Sequence, residues 1–158
     1  MTKDKNEAAG KKIISVNKKA RFNYHILETL EAGIVLTGSE IKSIRANGIS
    51  IAESYVAPMN GGVFLLNAHI KPYSFSSDET YDPVRPRKLL MHEYEIDKFR
   101  GRVEKAGLTI VPLQLYLKNG RAKVEIALAK GKAAPDKRAS IRDRESEREV
   151  SRALRKAR

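Results

Sequence analysis

The chain has no cysteine and no tryptophan, and its aromatic rings come to six Tyr and four Phe besides the histidines. Without cysteine there is no disulfide and no thiolate metal site, and the redox compartment is left open. No apolar run approaches the length of a membrane span. Met1 to Lys12 is polar and lacks the apolar core of a signal peptide, so a cytoplasmic location is expected. Catalytic signatures are missing too: there is no Gly-rich phosphate loop, no Gly-x-Ser-x-Gly turn and no zinc pattern. His25, His69 and His92 sit in different elements without metal-ligand spacing, and Glu93 and Glu95 point to different sides of a helix. No enzyme activity, no metal and no cofactor are expected. Acidic residues are in deficit, 19 against 31 Lys and Arg in 158 residues, for a net charge of +12. A surplus of this sign fits an anionic membrane or a nucleic acid.

The last two dozen residues, Pro135 to Arg158, hold nine Lys/Arg, five Asp/Glu and only three large apolar side chains, Ile141, Val150 and Leu154. So little apolar surface does not offset the entropy of ordering, and the segment is not expected to fold alone. It nevertheless carries a helical pattern. Asp136 is placed to cap a first turn, no Gly or Pro follows, and Arg142/Glu145, Glu145/Arg148 and Glu149/Arg152 are spaced i,i+3. Arg144, Arg148, Arg152 and Arg155 then line one face. The apolar stripe beside them is too thin for a membrane anchor. A polyanion is the partner this segment suits.

The rest of the chain, with a charge surplus of eight, reads as short strands and helices. Lys12–Val16 is a strand, and Asn17 caps a brief helix through Phe22. Tyr24 to Leu36 alternates, with a bulge or bend expected at Glu31-Ala32-Gly33. Thr37-Gly38-Ser39 opens a helix with Ile41 and Ile44 on one face and Lys42 and Arg45 on another. Tyr55–Ala57 and Val63–Ile70 form a hairpin around Asn60-Gly61-Gly62. Pro72 to Pro86 is a loop, and Glu93–Ala106 a helix ended by Gly107. Val111, Leu113, Leu115 and Leu117 are expected on one face of a strand. Asn119-Gly120 turns it, and Ala122, Val124, Ile126 and Leu128 face the same way on the return. About six antiparallel strands with two or three helices fit a small closed or partly open barrel, of which the oligonucleotide-binding type is one, and equally a sandwich.

Basic clusters mark candidate nucleic-acid contacts: Lys18, Lys19 and Arg21 within about a turn, then Arg85, Arg87 and Lys88, then Lys132 with Lys137 and Arg138 at the start of the tail. Tyr24, Tyr55 and Tyr116 are either stacking surfaces for bases or core.

The motifs Asn17-Lys18-Lys19-Ala20-Arg21, Glu31-Ala32-Gly33, Gly38-Ser39-Glu40-Ile41-Lys42-Ser43 and Ser54-Tyr55-Val56 recur here in a telling order. They are followed by Asp82-Pro83, Arg87-Lys88-Leu89-Leu90, Ala129-Lys130-Gly131-Lys132 and Asp136-Lys137-Arg138. In this order and spacing, over nearly the whole length, the chain resembles the small protein B family, protein partners of transfer-messenger RNA in bacterial trans-translation. The resemblance implies a mainly β fold with short helices. It divides the chain into a disordered basic arm (1–11), an oligonucleotide-binding (OB)-fold-like antiparallel β-barrel (12–132) and a basic tail (133–158), disordered when free and helical on the ribosome. It implies that the barrel grips the transfer-RNA-like domain of that RNA while the tail enters the empty messenger channel of a stalled 70S ribosome near the decoding centre. Elongation factor Tu is a further partner through the charged RNA. The RNA-binding set it implies is Lys18, Lys19, Arg21, Glu31, Arg45, Arg87, Lys88, Leu90, His92, Lys130 and Lys132. The ribosome set is Asp136, Lys137, Arg138, Arg144, Arg148, Arg152 and Leu154. The chain departs from the pattern at His92, often asparagine in relatives, at Ser146, tryptophan in some, and at Ala153-Leu154, which replaces a bulkier pair. Two rival expectations are a general single-stranded nucleic-acid-binding barrel and a processing enzyme using Glu31, Glu40 and His92. The scattered placement of those three residues disfavours the enzyme.

Overall fold

Two Asn-Gly corners organise the sheet. Asn60 and Gly61 take φ of 48° and 76°, and Asn119 and Gly120 take 51° and 78°. Two left-handed residues in a row are what a two-residue hairpin needs, because the turn's twist then matches that of its strands. The computed structural model describes residues 10–77, 79–132 and 134–156. In chain order the elements are β1 (Lys11–Val16), α1 (Lys18–Asn23), β2 (Tyr24–Ile34), α2 (Gly38–Arg45), β3 (Ile49–Ser50), β4 (Tyr55–Met59) and β5 (Gly62–Leu66). There follow β6 (His69–Ile70), β7 (Arg87–Leu90), α3 (Glu93–Ala106), β8 (Thr109–Lys118), β9 (Arg121–Gly131) and α4 (Ala134–Lys156). Among the described residues no helix is long and apolar enough to cross a membrane.

Seven strands form one antiparallel sheet in the order β1-β8-β4-β5-β7-β2-β9, and β8 also pairs with β9. That last pairing closes β8, β4, β5, β7, β2 and β9 into a barrel rather than a sandwich. Its interior is filled by buried side chains such as Leu65, Leu115, Val124, Ile126 and Leu128. β3 and β6 make a separate ribbon through Ile49 and Ile70. The first hairpin is accordingly shorter than expected. Asn67, at φ 60°, ends β5, and His69–Ile70 pairs elsewhere.

Two bulges decide which side chains reach the interior. The register of β8 against β9 slips between Pro112 and Gln114. One extra residue inverts the alternation beyond it. Leu115 and Leu117 therefore face the barrel core, whereas Val111 and Leu113 lie outside it with Ala20, Ala127 and Ala129 in a second small core. The four expected on one face are thus divided between two. The same happens in β2, where the slip falls between Ile26 and Glu28. Tyr24 and Ile26 join the outer cluster, and Leu30, Ala32 and Ile34 the inner one. The break expected at Glu31-Ala32-Gly33 is therefore displaced, and pairing continues through Ala32 and Gly33 to Val124 and Lys123. Gly33 serves a close approach instead. A Cβ there would stand 3.2 Å from that of Leu90 on β7.

Helix α1 covers the outer cluster through buried Ala20. Asn17 makes no side-chain cap. Its backbone N–H donates to the Leu113 carbonyl at 2.8 Å and its Nδ2 to that of Pro112 at 3.0 Å, which ties α1 to the bulge in β8. Helix α2 opens on a capping box: the Glu40 N–H donates to Thr37 Oγ1 at 3.3 Å and the Thr37 N–H to Glu40 Oε1 at 3.0 Å. Helix α3 ends as expected at Gly107, φ 62°, and buries Phe99 against the core.

Helix α4 begins at Ala134, so Asp136 lies inside its first turn rather than capping it. The Asp136 and Lys137 side chains lie outside the described residues. Every residue from Ile141 to Lys156 is exposed. Val150 and Leu154 keep 60% and 65% of their surface, so burial does not hold this helix to the barrel. Its recorded ring contact is the Arg144 guanidinium, 5.3 Å above Phe22 of α1. Most of the expected N-terminal arm, residues 1–9, lies outside the described residues.

Candidate nucleic-acid interface

The bulges turn Glu31 and Gly33 of β2 to the outside of the barrel, in line with Lys123 and Glu125 of β9 and Tyr116 and Lys118 of β8. Register places Glu31 opposite Glu125, Gly33 opposite Lys123, and Tyr116 opposite Lys123. The Tyr116 hydroxyl donates to Glu31 Oε2 in a short hydrogen bond, and Lys118 Nζ stands 3.5 Å from the same oxygen. Lys118, Arg121 and Lys123 line the shallow depression in which Glu31 lies. The Tyr116 hydrogen bond, helped by the charges of Lys118 and Lys123, holds the Glu31 carboxyl below the usual carboxylate range against the opposing effect of burial. The Tyr116 hydroxyl is pushed up, by burial first and by Glu31 second. Glu31 is thus an ionised acceptor with 40% of its side chain exposed inside a ring of cations. Such a group accepts from base amino groups while the cations around it take phosphates.

Beside it lies an apolar patch. Leu90, 55% exposed, faces Gly33 across the β2–β7 pairing. His92, just beyond β7, stacks on Tyr94, with ring centroids 5.5 Å apart and planes 13° off parallel. Tyr94 is 69% exposed, and the Glu95 carboxylate accepts from the His92 N–H at 3.1 Å, setting the start of α3. Exposed flat rings and a leucine beside cations suit unstacked bases. Lys88 is exposed on the same strand face and lies opposite Phe64 of β5. Glu31 is thereby brought beside Lys88, Leu90 and His92, which lie far along the chain from it.

The other expected residues fall in two further places. Lys18 and Arg21 of α1 face Arg144 and Arg148 of α4 across a cleft. Lys130 and Lys132 sit at the end of β9, where the Lys132 N–H donates to the Asn23 carbonyl at the end of α1. Lys19 instead pairs with Glu53 at 2.7 Å. Arg45 is exposed in the last turn of α2. Arg138, Arg152 and Leu154 are exposed along α4.

Burial corrects one expectation, at Arg87, and decides one open alternative, at Tyr116. Arg87 has no exposed surface. Its Nε donates to Glu40 Oε2 at 2.7 Å, its Nη1 to the Ala68 carbonyl at 2.6 Å, and its Nη2 to the Tyr81 hydroxyl and the Pro83 carbonyl at 3.1 and 3.0 Å. Glu40, equally enclosed, also accepts from Arg85. Arg87 therefore builds the fold and presents no surface to a ligand. Its neighbour Lys88 points the opposite way because strand side chains alternate. Tyr116 is 2% exposed, with Lys11 Nζ 4.1 Å above its ring, so it does not stack on a base. Sequence reasoning missed Lys118, Arg121 and Lys123. The available signal was their alternation, around Asn119-Gly120, with the apolar Leu117, Ala122 and Val124.

Known proteins resemble this chain closely. The family model described as SmpB protein matches residues 14–156. An SsrA-binding protein of Acidothermus cellulolyticus is 50% identical over 146 residues, covering 92% of both chains. That of Thermobifida fusca is 49% identical over 156 residues, covering 99% of this chain and 98% of its own. A solved chain described under "tmRNA-SmpB: a journey to the center of the bacterial ribosome" matches with a TM-score of 0.63 at 44% identity, over 80% of this chain and 93% of that one. By sequence over nearly its full length and by the shape of its barrel, the chain belongs to the SmpB protein family.

Proposed function

We propose that this protein binds transfer-messenger RNA and delivers it to stalled ribosomes for trans-translation. The outer barrel face holds the transfer-RNA-like domain, and the tail occupies the empty messenger channel near the decoding centre. Family membership supports this reading, as do relatives named for SsrA binding and a solved relative described with tmRNA and the ribosome. The observation that carries it here is Glu31, an exposed carboxylate ringed by Lys118, Arg121 and Lys123 beside Leu90 and His92. A folded RNA is read through its loops, 2′-hydroxyls and phosphates, and this face offers an acceptor, cations and apolar surface for them. The protein itself performs no chemistry, works in the cytoplasm, and meets elongation factor Tu through the charged RNA. On the ribosome, arginines of the tail neutralise ribosomal-RNA phosphates.

The test is a mobility-shift titration with the transfer-RNA-like domain. Glu31→Arg is expected to weaken binding about tenfold or more, in keeping with ~1–3 kcal/mol for one specific polar contact, with an unchanged circular dichroism spectrum. Removal of residues 136–158 is expected to leave that binding largely intact, with at most the several-fold loss of one phosphate contact, and to abolish tagging in a reconstituted stalled-ribosome assay. Displacement of the domain, mole for mole, by an unstructured oligonucleotide would instead identify a general single-strand binder.

A further inference from the structure

The cleft between α1 and α4 sets four cations against a single carboxylate. It measures about 430 Å³ and is lined by Lys18 and Arg21 from the barrel and by Arg144 and Arg148 from the tail. Its one lining carboxylate is Glu125, whose Oε2 accepts from Gln114 at 3.3 Å. Among the described residues none of the four cations has a carboxylate within ion-pairing distance. Asn17 lines the same cleft and is 7% exposed. Its Oδ1 is buried without a hydrogen-bond partner among the described residues. An acceptor left without a donor costs free energy, and so do like charges held together. Apolar burial does not offset these costs, because α4 is exposed along its length from Ile141.

The cleft also continues the Glu31 face. Along the outside of β9 the order runs Arg121, Lys123, Glu125, and then Ala127 under α1. Glu125 stands opposite both Glu31 and Gln114. The line of Arg121 and Lys123 therefore leads past Glu125 toward α1, which carries Lys18 and Arg21.

We infer that this cleft is a phosphate site, in which one phosphodiester of the bound RNA bridges Lys18 and Arg21 of the barrel to Arg144 and Arg148 of the tail and so sets the direction of α4. The inference rests on the reading that the outer face binds RNA. The four cations supply charge-assisted hydrogen bonds to the phosphate. Without the anion the two halves repel. With it, RNA binding and tail placement become one coupled event.

Because the chain lacks cysteine, Ser50→Cys and Ser151→Cys give two unique spin-label sites, on the β3–β6 ribbon and on the tail. In the full-length protein the distance distribution between the labels is expected to be broad alone. It should narrow to a single population on saturation with the transfer-RNA-like domain, and remain broad in millimolar inorganic phosphate. With Lys18→Glu and Arg21→Glu together, the new carboxylates pair directly with Arg144 and Arg148, so the distribution should be narrow without RNA. The tail-side reversal, Arg144→Glu with Arg148→Glu, should do the same and leaves the barrel sequence intact. Replacing both tail arginines by Gln should reduce the salt dependence of RNA affinity by roughly 0.7 log units per log unit of salt, the value for one phosphate. A distribution unmoved by bound RNA, or charge-reversed variants as broad as the parent, would overturn the inference. Narrowing by inorganic phosphate alone would overturn the assignment to a polynucleotide. Failure of the outer-face reading shows separately, as no mobility shift at all.

Discussion

Two glutamates in this protein have nearly the same partners and opposite fates. Glu40 meets a tyrosine hydroxyl, Tyr81, and two cations, Arg85 and Arg87. Glu31 also meets a tyrosine hydroxyl, Tyr116, with Lys118 beside it and Lys123 near. The side chain of Glu40 is wholly enclosed, whereas that of Glu31 is 40% exposed. Around Glu40 the cation is a guanidinium whose planar fork reaches the carboxylate and two backbone carbonyls together, which lets both charges be buried. Around Glu31 the cations are ammonium groups and an arginine on a hairpin corner, which keep their heads in water. One constellation locks the loop from Ile70 to Pro86 onto α2, and the other faces outward to a ligand. Side-chain identity alone does not separate a structural carboxylate from a binding one; enclosure does.

The comparison breaks most sharply at Arg87. Arg87→Ala strands a buried carboxylate and is expected to cost about 3–5 kcal/mol, the usual penalty for halving a buried ion pair, read as a lower urea midpoint. A change under about 1 kcal/mol would mean that Arg85 alone neutralises Glu40. The acid limb comes next. For Glu40, burial acts to raise the carboxyl, but hydrogen bonds from Arg85, the Thr37 N–H and Arg87 outweigh it, and the value ends below 4.5. Glu31 is depressed as well. A depressed folded value stabilises fully above the unfolded carboxyl's pKa and is lost as pH falls through the folded one. The urea midpoint is therefore expected to hold above pH 4.5 and fall below it, with most of the fall due to enclosed Glu40. In Arg87→Ala that fall should be shallower. The smallest effect belongs to Tyr116→Phe. Loss of one hydroxyl donor should cost about 1 kcal/mol and move the Glu31 carboxyl titration, followed by NMR, back toward its ordinary value. An unmoved titration would assign the depression to the lysines.

Local elements were legible where a short-range rule governs them. Asn119-Gly120 set the hairpin, Gly107 ended α3, and Thr37-Gly38-Ser39 opened α2, to which the structure adds the capping box of Thr37 and Glu40. What hid from the sequence was the pair of bulges at Leu27 and Leu113. Alternation looks the same before and after a bulge, yet the buried face changes. Hence Val111 and Leu113 were grouped with Leu115, and the kink was expected at Gly33. Within the candidate site, Glu31, Leu90 and His92 were readable only by family resemblance, whereas Lys118, Arg121 and Lys123 became visible once the barrel turned them to one side. Arg87 and Lys88 look alike in a basic loop, and only the strand's pleat sends one inward.

The sequence by itself determined the charge surplus, the Asn-Gly turns, the helix stop at Gly107, and a tail too poor in apolar groups to build a core of its own. Each of these depends on residues within a few positions of one another. Tertiary structure alone decided which glutamate and which arginine are sealed from water, and which cations share a face with Glu31. Burial is set by strands distant in the chain, and the free energy of a charge depends on that enclosure more than on its neighbours in sequence.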